Sequence, residues 1–195
     1  MALARALWLV VLALLVAACG PDRPPFHGAD LGGAEFGTRL ELTDHTGKPR
    51  TLGDFRGKAV VVFFGYTQCP DVCPTNMSAM AEAMRLLGSD AEKVQILFVS
   101  VDPERDTPAL LAQYVPSFHP SFLGLYGNAE QTTAAAKEFR VFFQKQPGST
   151  PTTYTIDHSA GSYVIDSSGK LRLYLKHGES AANVAADLRR LVAGE

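Results

Sequence analysis

Two patterns of apolar residues alternate along the chain and predict strands and helices in turn. Continuous apolar runs rich in Val and Phe, at residues 59–64 and 94–101, are typical of central strands buried on both faces. Apolar residues at helical spacing, with their flanking caps, predict helices at residues 74–87, 108–114, 129–139 and 181–191. Shorter strands are expected at residues 38–42, 50–52, 122–125, 141–143, 154–156, 162–166 and 171–175.

The amino terminus has the features of an export signal. Arg5 precedes thirteen apolar residues, 6–18, which at about 1.5 Å per residue cannot span a hydrocarbon core of about 30 Å. Such a run fits a secretory signal peptide. It ends in Leu-Val-Ala-Ala-Cys, which resembles the bacterial lipobox, so we expect residues 1–18 to be removed and Cys19 to carry lipid. The plainer alternative is an ordinary signal peptide that is cleaved near Cys19.

This signal predicts a lipid-anchored protein on the periplasmic face of the bacterial cytoplasmic membrane. After Cys19 the chain is rich in Gly, Pro and Asp without periodicity, which is typical of a flexible tether. We therefore expect a tether over residues 19–35 and one folded domain over residues 36–195.

Composition narrows the class of protein. Hydrophobic residues make up 46% of the chain and charged residues 19%, as in an ordinary globular domain. The 18 basic and 20 acidic side chains give a net charge of −2, which excludes the basic surface of a nucleic-acid-binding protein. Three cysteines are too few for a disulfide-stapled scaffold, and lipid on Cys19 leaves only Cys69 and Cys73 as thiols.

Cys69 and Cys73 lie in a loop, residues 65–74, that joins the first buried strand to the first helix. Ligands and reactive groups gather at such strand ends. Pro74 suits the first helical position, which would place Cys73 near the N-cap, where the helix dipole favours the thiolate. Cβ atoms one helical turn apart are roughly 5–6 Å from each other, whereas a disulfide needs about 3.5–4.5 Å. The spacing therefore predicts a reversible disulfide or two sulfur ligands for one metal ion, and a structural disulfide is the alternative.

The order of elements predicts the fold. Strands that alternate with helices, followed by a hairpin of residues 162–166 and 171–175 and a closing helix, form a three-layer α/β sandwich. Because the paired cysteines stand where the first central strand meets a helix, we expect a thioredoxin-like fold. The strands at residues 38–42 and 50–52 would add an N-terminal β-hairpin extension.

His158 is a candidate for a third metal ligand, because the segment before strand 162–166 would lie beside the cysteine loop. A solvated surface histidine is the alternative. Two thiolates and one imidazole suit copper, as Cu(I) or Cu(II), and zinc is also compatible. Asp71 is either a weak or indirect ligand or a carboxylate that supports the helix terminus, and Asp102 lies at a strand end that would share the same rim. The remaining histidines are expected in the tether, turns or loops: His27, His45, His119 and His177.

Three motifs in order resemble the Sco/SenC family over roughly residues 36–191. They are Gly-Tyr-Thr-Gln-Cys-Pro-Asp-Val-Cys-Pro at 65–74, Ser-Val-Asp-Pro-Glu-Arg-Asp-Thr-Pro at 100–108 and Asp-His-Ser-Ala at 157–160. The resemblance implies a thioredoxin-like fold with inserted elements. It also implies a membrane-anchored copper protein that helps to assemble the CuA centre of cytochrome c oxidase. By motif position it makes Cys69, Cys73 and His158 the copper ligands. Many members keep a transmembrane anchor, where this chain has a lipobox.

The expected partner is the copper-bearing oxidase subunit, with another periplasmic copper chaperone or a thioredoxin-like reductant as further candidates. A copper chaperone is therefore the leading hypothesis. The alternative is a thiol–disulfide reductase that uses Cys69 and Cys73 to keep the acceptor's cysteines reduced. A peroxiredoxin-like peroxidase is least favoured, because its motif, Pro-x-x-x-Thr-x-x-Cys, puts the threonine three residues before the cysteine. Thr67 stands two residues before Cys69.

Overall fold

Ten strands and four α-helices are formed by residues 24–150 and 153–195, the part of the chain that this computed structural model describes. The strands are β1 (Ala29–Asp30), β2 (Glu41–Asp44), β3 (Pro49–Thr51), β4 (Ala59–Gly65), β5 (Val94–Ser100), β6 (Leu123–Tyr126), β7 (Phe143–Gln146), β8 (Thr155–His158), β9 (Ser162–Ile165) and β10 (Leu171–Leu175). The helices are α1 (Val72–Leu87), α2 (Pro108–Phe118), α3 (Ala129–Glu138) and α4 (Ala181–Val192). Short 3₁₀ segments occupy Leu52–Phe55 and Gly88–Lys93.

Eight of these strands form one mixed sheet in the order β1-β10-β9-β4-β5-β6-β2-β3. Its centre is the parallel pair β4 and β5, in which every residue is buried, as the uninterrupted apolar runs predict. On one side β9 pairs antiparallel with β4 and forms the predicted hairpin with β10. Among the described residues, strands β7 and β8 pair only with each other, as a separate two-stranded sheet. Helix α1 packs against α4, and α2 packs against β6.

Helix α2 starts as predicted and ends later. Thr107 is its N-cap, with a side-chain oxygen that accepts a hydrogen bond from the Leu110 N–H at 3.2 Å, and Pro108 is the first helical residue. The helix continues beyond residue 114, through Pro116, to Phe118. Val115 is fully buried, so its packing holds the last turn in place.

The described part of the expected tether packs on the domain. The carboxylate of Asp187 in α4 accepts hydrogen bonds from the N–H groups of His27 and Gly28, at 3.0 and 2.8 Å. Just beyond them, β1 pairs with β10. The residues from His27 onward are therefore part of the folded domain, although the sequence predicted a tether as far as residue 35. The signal peptide and Cys19 fall outside the described residues, among which no helix is both long and apolar enough to cross a membrane.

Candidate metal centre

The cysteine loop turns directly into α1, and this puts both sulfur atoms at the amino-terminal end of the helix. The helix starts at Val72, with Asp71 as N-cap, so the prediction that it starts at Pro74 is two residues late. The Cys73 N–H, which has no partner within the helix, points at the Cys69 sulfur at 3.5 Å. Proline at the third helical position leaves no unsatisfied donor, because it has no N–H.

His158 approaches from the other sheet, at the carboxyl end of β8. Its Nε2 lies 3.4 Å from the Cys73 sulfur, and its Nδ1 lies 3.0 Å from the Ser159 carbonyl oxygen. Because a carbonyl only accepts hydrogen bonds, Nδ1 carries the hydrogen and the Nε2 lone pair faces the cysteines. The rings of Phe63 and Tyr66 contact the imidazole edge-on, with centroids 6.0 and 5.9 Å away, and hold its plane.

The ligand atoms of Cys69, Cys73 and His158 all lie within 4.8 Å of one another. A metal ion with bonds of about 2.3 Å to sulfur and about 2.0 Å to nitrogen keeps such atoms roughly 3.5–4 Å apart. The three donors therefore need only a small contraction to share one ion. Cys73 is fully buried, whereas Cys69 and His158 are half-buried, so the cluster is reached from the Cys69 side.

The two thiols differ in acidity. A hydrogen bond with the Cys73 thiol lowers the pKa of Cys69 to about 4, and the N–H groups of Asp71 and Cys73 act in the same direction against the effect of burial. The pKa of Cys73 is raised, by that same hydrogen bond and by its burial. The sequence predicted that the helix terminus favours thiolate at this end of α1. In the structure the N–H groups at the helix terminus stabilise the thiolate of Cys69, which carries the negative charge at neutral pH.

Other residues singled out from the sequence lie outside the cluster. Asp71 is exposed, and its carboxylate accepts from the Thr75 hydroxyl at 3.3 Å, while its backbone N–H bonds the Cys69 sulfur. His119 contacts Ser121, with its Nδ1 2.9 Å from the hydroxyl oxygen. Asp102 is buried and accepts from the Tyr154 hydroxyl at 2.6 Å, so it supports the surroundings of the site instead of lining its rim.

Comparison with known proteins decides the family. The family model described as SCO1/SenC matches residues 28–193, which is the whole fold described above. The chain belongs to the SCO1/SenC family. Among curated relatives, mouse "Protein SCO2 homolog, mitochondrial" is 39% identical over 156 residues, 79% of this chain and 61% of the mouse protein. The chain thus spans about three fifths of the length of the mammalian SCO2 relatives it matches.

Solved Sco structures share this fold, which confirms the expected thioredoxin-like architecture. Bradyrhizobium japonicum ScoI with copper bound is 40% identical, with a TM-score of 0.74 over 81% of this chain and 99% of that one. Apo Sco1 from Thermus thermophilus is also 40% identical, with a TM-score of 0.77 over 88% and 99% of the two chains. A SCO1/SenC family lipoprotein from Bacillus anthracis is 27% identical, with a TM-score of 0.67 over 78% and 92%. Copper, the metal expected from the donor set, is the metal in the Bradyrhizobium structure.

Two supporting residues of this SCO1/SenC site were missed from the sequence. Buried Asp106 accepts hydrogen bonds from the Thr67 hydroxyl at 2.6 Å, from the Thr67 N–H at 3.2 Å and from the Ser100 hydroxyl at 2.6 Å, and so fixes the start of the cysteine loop. Gly65 lies against the Cys73 sulfur, which would be only 2.8 Å from a Cβ at that position. A glycine at the end of an apolar strand is a sequence signal for such a close approach, whereas nothing in the pattern distinguishes Asp106 from a turn residue.

Proposed function

We propose that this protein is a copper-binding assembly factor that supplies copper to the CuA centre of cytochrome c oxidase at the outer face of the membrane. One observation carries the proposal: Cys69, Cys73 and His158 converge within 4.8 Å, in a chain of the SCO1/SenC family. The copper bound by Bradyrhizobium ScoI supports the choice of metal.

The donor set fits copper in both oxidation states. Two thiolates suit Cu(I), and the added imidazole nitrogen provides the mixed set that suits Cu(II). Cys69 is already ionised at neutral pH, whereas Cys73 must lose its proton when a metal binds. The Nδ1–H of His158 donates to the Ser159 carbonyl oxygen, which leaves Nε2 as the ring nitrogen that would bind the ion.

Transfer of the ion to an acceptor would start at the accessible ligands. Cys69 and His158 are half-buried, and an incoming thiolate can replace them one at a time. The fully buried Cys73 would then be the last ligand to leave. The expected acceptor is the copper-bearing oxidase subunit, and another periplasmic copper chaperone would serve as donor.

A second function, thiol–disulfide reduction, is favoured by the unequal acidity of the two thiols. The Cys69 thiolate would attack a disulfide of the acceptor and form a mixed disulfide, which releases one acceptor thiolate. Cys73, after losing its proton, would attack the Cys69 sulfur and release the second acceptor thiolate. The products are a Cys69–Cys73 disulfide and a reduced acceptor, and a thioredoxin-like reductant would restore the dithiol. This step prepares the acceptor's cysteines for copper, so the two functions are compatible.

Peroxidase activity is not favoured by the contacts of Thr67. Its hydroxyl donates to Asp106 at 2.6 Å, on the side of the loop that is anchored to the turn after β5. A peroxidase would need this hydroxyl beside its reactive cysteine, so the surroundings of Cys69 differ from those of a peroxide-reducing site.

We also propose that residues 1–18 are removed and that lipid on Cys19 anchors the domain to the membrane. The lipobox-like sequence and the lipoprotein relative from Bacillus anthracis support this anchor. Because residues 26–30 pack on the domain, only a few residues separate it from the lipid. The domain would therefore stay close to the outer membrane surface that presents the oxidase subunit.

Titration of the reduced protein, produced from residue 20 onward, with Cu(I), Cu(II) and Zn(II) tests the proposal. We expect one equivalent of copper and, with Cu(II), a thiolate-to-copper charge-transfer band. His158→Ala should abolish or strongly alter that band, because it removes the imidazole from the ligand set. His119→Ala, a histidine outside the cluster, is the matched control and should leave the band unchanged. An unchanged spectrum for His158→Ala would remove His158 from the site, and a clear preference for zinc would overturn the choice of metal.

A further inference from the structure

The turn that follows β5, residues 101–107, contacts both segments that supply the metal ligands. The hairpin of β7 and β8 carries His158, and in the described part of the chain it has no backbone pairing with the eight-stranded sheet. The cysteines belong to a loop that leaves that larger sheet. Residues 159–161 join His158 to β9, which pairs with β4. Beyond that link, the position of the hairpin relative to the cysteine loop depends on side-chain contacts.

Arg105 makes this connection. Its Nη1 donates to the Tyr154 carbonyl oxygen, next to β8, at 2.8 Å and to the Gln68 side-chain oxygen, next to Cys69, at 3.3 Å. Its guanidinium carbon lies 3.5 Å from the centroid of the Tyr154 ring and 5.7 Å from that of the Tyr66 ring. One side chain thus contacts the hairpin and the cysteine loop at the same time.

Arg105 is itself held in place by Asp102. The Arg105 Nε donates to the Asp102 carboxylate at 2.5 Å, and the two side chains are 13% and 2% exposed, so water screens the pair only weakly. The other Asp102 oxygen accepts from the Tyr154 hydroxyl at 2.6 Å. On the same side, the Ile156 N–H donates to the Tyr66 hydroxyl at 3.2 Å. The hairpin therefore rests on a network of polar contacts with Arg105 at its centre.

We propose that Arg105 is a positioning residue that sets the distance between His158 and the two cysteines, and thereby determines how well the site binds Cu(II). Two thiolates are enough to hold Cu(I), so Cu(I) binding depends less than Cu(II) binding on the position of the hairpin. The proposal rests on the copper-binding function proposed above. It assigns a role to the motif at residues 100–108, which otherwise contributes no ligand.

Copper titration of the mature protein, extracted from membranes in detergent, tests this role. The variants are Arg105→Met, which removes the guanidinium, and Arg105→Lys, which keeps the charge and the stem but loses the planar donor group. Arg50→Met is the matched control, because Arg50 also pairs with a buried carboxylate, that of Asp44 at 2.7 Å, and lies 5.7 Å from the ring of Phe55. Arg50 lies in β3, at the far edge of the sheet.

We expect Arg105→Met to bind Cu(II) about 10- to 100-fold more weakly, with a shifted or lost charge-transfer band, as is usual when a group that orients a ligand is removed. Its Cu(I) affinity should stay close to that of the unaltered protein. Arg50→Met should change neither affinity. In metal-free Arg105→Met, the amides of β8 should exchange hydrogen faster, which reports a loosened hairpin.

Equal losses for Cu(I) and Cu(II), or no loss for either, would overturn the role of Arg105. If Arg105→Met does not fold, Arg105→Lys must show the same selective loss of Cu(II) binding. If neither variant folds, Arg105 is required for the stability of the fold, and the proposal is overturned in that case as well. The titration of the unaltered protein identifies a separate case. If that protein binds no copper, the proposed function itself fails.

Discussion

The close approach of Gly65 to Cys73 makes Gly65→Ala a sharp test of the metal centre. Gly65 is the last residue of β4, and a Cβ there would lie 2.8 Å from the Cys73 sulfur. It would also lie 2.9 Å from a ring carbon of Phe63 and 3.0 Å from one of Phe98. All three neighbours are fully buried, so none of them can turn into solvent to make room.

The size of the effect follows from these distances. Ordinary contacts lie at about 3.5–4.0 Å, so the Cys73 sulfur must retreat by about 0.7 Å or more. Metal–ligand distances tolerate changes of only about 0.2 Å. We therefore expect Gly65→Ala to weaken copper binding by at least about 10-fold, which is the lower end of the loss seen when ligands lose their orientation. Overpacking should also lower the free energy of unfolding by about 1–3 kcal/mol.

The assay is competition for Cu(I) and Cu(II) against a chelator of known affinity, together with the Cu(II) spectrum and a denaturant melt. Gly124→Ala is the matched control, because its Cβ would meet Val115 at 3.0 Å and Leu111 at 3.3 Å in the same core, away from any ligand. Both variants should lose stability, and only Gly65→Ala should lose copper affinity. If Gly65→Ala is destabilised like the control and still binds copper with the unaltered affinity and spectrum, the steric reasoning is refuted.

Three further predictions concern the cysteines. Because the pKa of Cys69 is lowered to about 4, its alkylation by iodoacetamide should be nearly independent of pH from neutrality upward. The rate should fall only as the pH approaches 4. Cys73 is buried and should stay unmodified in the folded protein. Peptide mass spectrometry checks this, and a rate that still rises steeply above pH 7 would contradict it. Oxidation to the Cys69–Cys73 disulfide should abolish stoichiometric copper binding, because the ligands must be thiolates. The oxidised protein is identified by a mass lower by two hydrogens. Full copper binding by that oxidised protein would exclude the cysteines as ligands. Cys19→Ser should release the protein from membranes without altering its copper affinity in solution, and retention in the membrane fraction would contradict the lipid anchor.

The sequence predicts the centre of the fold well because its signals there are local and strong. Strands β4 and β5 differ from their predicted bounds by one residue, since an apolar run buried on both faces leaves few alternatives. Helix α1 is displaced by two residues at its start. The helix begins two residues before the proline, and the Cys73 N–H points at the Cys69 sulfur, a contact that no periodicity reveals.

The hairpin that carries His158 is the part of the site that local sequence patterns predict least well. A strand was expected at residues 141–143, and β7 instead begins at Phe143, because its register is set by pairing with β8. That pair is held by the Tyr66 hydroxyl and by Arg105, which are distant in sequence. The residues alone left His158 as a ligand or a surface histidine, and only the family resemblance selected the ligand. Long-range polar contacts of this kind leave no pattern along the chain.

The three donor atoms are not held equally firmly, and this difference bears on function. Cys73 is fixed, since its sulfur is packed against Gly65 inside the core. Cys69 lies on a loop, and His158 lies on a hairpin whose position depends on side-chain contacts. A permanent metal site gains affinity when every ligand is preorganised, whereas a site that must release its ion gains from ligands that can move away singly. In the copper-transfer function proposed above, one fixed ligand beside two adjustable ones would keep the ion bound while an acceptor replaces the others. The geometry therefore favours exchange of copper over its permanent storage.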